Sequence, residues 1–114
     1  MNIKEVVDII GGKLICGESM INTEIERGFA SDLMSDVLTL DSDNVLLITG
    51  LANLQAIRTA EMSDISCIVF ARNKKITEEM MELAKENNII LIECASSVFK
   101  TAGKLYKAGI KPVF

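Results

Sequence analysis

Residues 45–71, VLLITGLANLQAIRTAEMSDISCIVFA, decide the fold. Val45 to Ile48 is an apolar run with no polar alternation, and it ends at Thr49-Gly50. A helical stretch follows from about Ala52 to Met62. Leu54, Ile57 and Ala60 recur on one face, and Ala56 lets the helix lie close to its support. Asp64 breaks it, and a second apolar run follows from Cys67 to Phe70. Strands that are apolar on both faces and separated by a helix belong to a parallel sheet covered on two sides.

The same rhythm extends downstream. Thr77 opens a helix that runs to about Asn87, and Asn87-Asn88 stops it. Ile89 to Ile92 is a third apolar strand. Ser96 or Ser97 caps a last helix with Phe99, Ala102, Leu105 and Tyr106 on one face, which Gly109 ends. Pro112 lies in a short tail. Upstream, Ile3, Val6, Val7, Ile9 and Ile10 give an amphipathic helix, with Asn2 as N-cap and Gly11-Gly12 as the stop. Leu14 to Cys16 is a short strand closed by Gly17. Met20 to Ile25 alternates loosely and Gly28 ends it, so residues 13–28 read as a hairpin or two neighbouring strands. Ser31-Asp32 reads as an N-cap before Leu33, Met34, Val37 and Leu38. The expectation is a single α/β domain over 1–114. It has a mostly parallel sheet of at least three strands flanked by helices, plus an N-terminal helix and hairpin.

Composition narrows the function classes. The chain has 114 residues, 49% of them apolar, but only one Tyr and four Phe, so its core is aliphatic. The net charge of −4 gives no basic footprint for nucleic acid. No apolar run approaches the roughly 20 residues of a membrane helix, and the N-terminus has no signal-peptide pattern. Cys16, Cys67 and Cys94 are widely spaced and odd in number, and there is no histidine. Free, buried thiols in a reducing cytoplasm are the expectation. No metal site and no cofactor are implied, since neither histidine nor a C-x-x-C pair is present.

In an open parallel sheet, ligands sit beyond the carboxyl ends of the strands. Those ends are Thr49-Gly50, Ala71-Arg72-Asn73 and Glu93 to Ser97. Each precedes a helix, whose free N–H groups and partial positive charge suit a phosphate or carboxylate. Ser31, Asp32, Thr49, Gly50, Asn53, Gln55, Arg72, Ser96 and Ser97 are the candidate ligand-binding residues, with Arg72 supplying counter-charge. The competing reading is that Ser, Thr and Asn before helices simply cap them. Catalysis is poorly supplied. The phosphate-loop pattern is absent, serines have no base beside them, and Asp32, Asp36 and Glu93 are the carboxylates left for acid–base chemistry. Arg72, Lys74 and Lys75 form a basic loop without interleaved aromatics, which reads as solvated.

The order of elements resembles a DRTGG domain. The resemblance rests on GFASDLMSDVL at 28–38, the strand ending in Ile48-Thr49-Gly50, NLQAI at 53–57, CIVF at 67–70, and IILIECASSVFKTAGKLY at 89–106. It spans about Val6 to Tyr106. Leu51-Ala52 stands where the family has Asp-Arg, and Ala71-Arg72-Asn73 where it has Thr-Gly-Gly. DRTGG domains are similar to the N-terminal domain of HPr kinase, whose kinase activity lies in a separate phosphate-loop domain. The resemblance implies a non-catalytic regulatory or sensor module acting through homodimerisation and through a protein or small-ligand partner. A nucleotide or anion sensor at the strand ends is one alternative. A component of an enzyme using Asp32 or Glu93 is another.

Overall fold

Alternate residues of the central strands point to opposite faces, and here both faces are apolar. Val45 and Leu47, Ile68 and Phe70, and Leu91 belong to one core; Leu46 and Ile48, Cys67 and Val69, and Ile90 and Ile92 belong to the other. A sheet of this kind needs a helical layer on each side. The computed structural model, which describes residues 1–114, has both layers. The strands are β1 (Lys13–Cys16), β2 (Arg27–Ala30), β3 (Val45–Thr49), β4 (Cys67–Phe70), β5 (Ile90–Glu93) and β6 (Lys111–Pro112). The helices are α1 (Ile3–Ile10), α2 (Met34–Val37), α3 (Leu54–Met62), α4 (Glu78–Glu86) and α5 (Val98–Ala108).

The sheet order is β1-β5-β4-β3-β2-β6. Neighbours from β5 to β6 are parallel, and β1 lies antiparallel on the outer edge of β5. From β2 to β5 the chain steps one strand at a time in one direction. The β5-to-β6 connection then travels back across the whole sheet. Crossovers keep one hand, so reversing the direction of travel moves the connecting helix to the other face. Accordingly α2, α3 and α4 pack on the face of Leu47 and Phe70, through Val37, Ile57, Met80 and Ala84. On the opposite face α5 joins α1, through Leu105, Ile3, Val6 and Ile10. No helix is long and apolar enough to cross a membrane.

Local signals account for most helix ends. The Asn2 side chain accepts from Glu5 N at 2.9 Å while the Glu5 carboxylate accepts from Asn2 N at 3.2 Å, a reciprocal box that closes α1. Gly11 adopts φ 63° and stops that helix. Thr77 caps α4 by accepting from Met80 N at 3.2 Å. Three expectations need correction. The hairpin over 13–28 does not form, because β1 and β2 lie toward opposite edges of the sheet. Met20 to Ile25 is a connection across the sheet end, opened by a 3-10 turn at Glu18–Met20 and anchored by buried Ile25. Arg27 to Ala30, placed beyond its end, is the strand. Gly28 suits that strand because a Cβ there would meet Ile110 Cγ2 at 3.2 Å. The tail at Pro112 is also a strand, pairing with β2 at the far edge.

The third correction concerns Ser31-Asp32. The cap position of α2 is Leu33, which has no side-chain cap bond. Ser31 Oγ accepts from Leu33 N at 3.0 Å in the turn before the helix. That leaves the Asp32 carboxylate free to turn toward the end of β3.

Candidate functional site

The helices after β4 and β5 lie on opposite faces, so the sheet opens a crevice between the carboxyl ends of those two strands. The chain leaving β4 crosses that crevice. Arg72 and Asn73 adopt consecutive left-handed conformations, φ 64° and 59°. Such conformations cost a non-glycine residue about 1–2 kcal/mol each. Two backbone bonds hold them: Arg72 N donates to Ser96 O at 2.7 Å, and Asn73 N donates to Cys94 O at 3.0 Å. The turn thereby aims the Arg72 side chain back over β3.

There it meets the end of β2. Asp32 Oδ1 accepts from Gly50 N at 2.7 Å and from Thr49 Oγ1 at 2.9 Å. Thr49 is fully buried, and its hydroxyl oxygen also accepts from Leu51 N at 3.1 Å. The second carboxylate oxygen of Asp32 faces Arg72 Nη1 at 4.0 Å, with both side chains about half exposed. Gly50 makes this approach possible. A Cβ there would sit 3.0 Å from Arg72 Cδ and 3.4 Å from Asp32 Oδ2. The cluster therefore presents an open carboxylate oxygen beside a guanidinium, fixed at the base by a buried threonine.

Next to it lies a cleft of about 180 Å³ lined by Lys13, Asn73, Lys74, Lys75, Glu93 and neighbouring backbone. Lys13 arrives because β1 runs antiparallel and starts at the end where β5 finishes. Lys75 Nζ is 3.8 Å from Glu93 Oε1, and Glu93 Oε2 accepts from Ile76 N at 2.9 Å. Glu93 thus clamps the loop after β4, and both its oxygens are engaged. Three lysines line this cleft around Glu93, and Arg72 stands beside it against Asp32.

The structure divides the sequence candidates. Asp32, Thr49, Gly50 and Arg72 converge in one cluster. Ser96 joins through its carbonyl, and Ser31 shapes the adjacent turn. Asn53 accepts from Ala56 N at 3.1 Å, and Ser97 accepts from Lys100 N at 3.1 Å, so both cap their helices. Gln55 lies exposed on α3, and no hydrogen bond joins it to the cluster. Lys13 has no place among the sequence candidates, Asn73 stands there only as a strand end, and Lys74 and Lys75 read there as a solvated loop. Asparagine tolerates left-handed backbone better than most residues, so Arg72-Asn73 carried a usable turn signal. Lys13 carried none, since its place depends on the direction of β1.

Strand order, two-sided helical cover and a polar cluster at the carboxyl strand ends define an open-sheet α/β domain. The chain belongs to the DRTGG domain family, whose model matches residues 5–108. In three dimensions it is similar to the CBS and DRTGG domains of the regulatory region of Clostridium perfringens pyrophosphatase, solved in complex with the activator diadenosine tetraphosphate. The two superpose with a TM-score of 0.77 at 16% sequence identity, over 98% of this chain and 48% of that one. This chain thus spans about half of that regulatory region, and the likeness is one of fold. No curated protein matches in sequence.

Proposed function

We propose that this chain is a non-catalytic regulatory module that senses a nucleotide polyphosphate at the carboxyl ends of its strands and passes the signal on by self-association and through a protein partner. The observation that carries the reading is the pairing of two unlike subsites across the β4–β5 crevice. Asp32 Oδ2 is an acceptor suited to a sugar hydroxyl or base amine. Arg72, Lys13, Lys74 and Lys75 supply the positive charge that a phosphate chain needs. Asp32 already fills the two-donor cradle of Gly50 N and Thr49 Oγ1. Phosphate is therefore read on the lysine side, and Asp32 acts as a selector rather than a phosphate ligand. The solved relative, bound to a dinucleoside tetraphosphate activator, makes that ligand class the first to test.

The test is a thermal-shift series with diadenosine tetraphosphate, ATP, AMP and pyrophosphate, with and without magnesium. A ligand at about 100 times its Kd adds roughly 2.7 kcal/mol, which raises the Tm of a domain this size by about ten degrees. Arg72→Ala should reduce affinity by about tenfold while leaving the unliganded Tm within a degree or two. The proposal fails if no nucleotide moves the Tm, or if Arg72→Ala binds as well as the parent chain. Light scattering tests the self-association arm: a dimer mass supports it, and a monomer at micromolar concentration removes it.

A further inference from the structure

Aromatic residues are scarce in this chain, and their placement is uneven. Of the five, only Phe70 is buried in the core. Phe99 and Tyr106 stand exposed on α5, while Phe29 packs on the opposite face of the sheet with Leu47 and carries Phe114 against it. Phe99 is 88% exposed, Tyr106 68% and Phe114 86%. The Phe29 and Phe114 rings meet edge to face with centroids 6.1 Å apart. Helix α5 holds to the sheet through Thr101 and Leu105. Phe99 and Tyr106 are seven residues apart, two helical turns, so they project along one line of the helix away from that contact. Between them Gly103 leaves open space, with nothing within 4 Å of where its Cβ would be. The result is an apolar groove of about 320 Å³, floored by Gly28, Ala30, Ile48 and Ile110 and walled by Phe99, Leu105 and Tyr106. Patches of this kind on soluble proteins mark interaction sites.

Charge along the chain is equally uneven. Residues 94–114 contain Lys100, Lys104, Lys107 and Lys111 and no acidic residue. The first 93 residues carry the other eight basic residues against all sixteen acidic ones. None of the four lysines has an ion-pair partner. Lys111 lines the groove itself, while Lys100 and Lys107, exposed, and Lys104, half-buried, flank it on α5 outside its lining. A second copy of this chain seated here would set four lysines against four.

We propose that the α5–β6 groove docks an acidic polypeptide segment of a partner protein, with apolar side chains seated between Phe99 and Tyr106 and carboxylates against Lys100, Lys104, Lys107 and Lys111. This identifies the surface and chemistry of the protein partner invoked above, and it rests on that regulatory reading. The groove is separate from the nucleotide cluster yet linked to it, because α5 starts at Ser97, directly after the Cys94–Ser96 segment that holds Arg72 and Asn73. Aromatic anchors ringed by complementary charge are the pattern of an interface hot spot.

The experiment uses fluorescence anisotropy with a synthetic amphipathic peptide carrying leucine at helical spacing and glutamate elsewhere. Controls replace every glutamate by lysine, or every leucine by serine. The full chain should bind the Glu/Leu peptide, bind neither control, and release it as salt is raised. Phe99→Ala with Tyr106→Ala should weaken binding by about tenfold or more, as should Lys104→Glu with Lys107→Glu. All four side chains are surface groups, and an unchanged circular dichroism spectrum and Tm verify that the variants fold. Absence of binding, equal binding of the lysine peptide, or indifference to the aromatic substitutions overturns the proposal. So does sedimentation showing that the aromatic pair holds two copies of this chain together. Nucleotide shifts are measured on the same samples. Loss of peptide binding with the nucleotide response intact refutes only this groove; the converse refutes only the nucleotide reading.

Discussion

At the residue scale, Asp32 shows how one side chain can read wrongly from sequence. Its place before Leu33 and Met34 is that of a cap, and its carboxylate instead reaches 17 residues along the chain to Thr49. Nothing local signals that bond, since it depends on β2 and β3 lying side by side. Asp32→Ala should cost about 1–3 kcal/mol, because it leaves Gly50 N and the buried Thr49 hydroxyl without their acceptor. Asp32→Asn, which keeps an acceptor oxygen, should cost less. Urea unfolding of the two variants checks the order. The cysteines, by contrast, were legible: all three are buried and free. Burial above all, with Cys16 nearby, pushes the Cys67 thiol far up from its ordinary range. The folded state thus keeps a proton that the unfolded chain loses near pH 8.5. Stability is intact below about pH 8.5 and declines as pH rises above it, by up to about 1.4 kcal/mol per pH unit. Urea midpoints at mildly alkaline pH should fall accordingly, and native thiols should resist aromatic disulfide reagents until the chain unfolds.

At the element scale, helices were read well and strands unevenly. Caps and stops at Asn2, Gly11, Thr77, Asn87, Ser97 and Gly109 are local chemistry, and the structure uses each of them. The strands β3, β4 and β5 announced themselves because both faces are apolar. The edge strands β1 and β6, and β2 beside β6, are short and partly exposed, so their pattern is weak. For β1 and β6 the pairing partners lie far off in sequence. Asn53 and Ser97 were offered as ligand contacts, and the structure makes them caps. Asn53→Ala and Ser97→Ala should each cost about 1 kcal/mol of stability. Neither should change nucleotide affinity, a pairing that calorimetry on the two variants can separate.

At the scale of the whole molecule, the reversal of the chain after β5 sets both the two helical layers and the crevice that Arg72 and Asn73 cross. The two cores are joined through one sheet, so they should unfold together. Leu46→Ala and Leu47→Ala sit on opposite faces, and each should cost about 2–5 kcal/mol in a single cooperative transition. A separate early transition in either variant would mean that the layers are independent. Double-faced strands made the architecture legible from sequence. The strand order did not follow, and with it went the position of Lys13 in the three-lysine cleft. Charge segregation into residues 94–114 was also present in the sequence, but it became a surface only when α5 was placed beside β6.

Nucleotide polyphosphate reading at the carboxyl strand ends, as proposed above, has a direct spectroscopic signature. The most direct measurement is a titration of the nitrogen-15-labelled chain with diadenosine tetraphosphate, followed by amide chemical shifts. The account predicts saturable shifts concentrated at Lys13, Thr49–Gly50, Ala71–Lys75 and Cys94–Ser97, and their loss in Arg72→Ala. Shifts confined to the α5–β6 groove, or an unchanged spectrum at millimolar nucleotide, would contradict it.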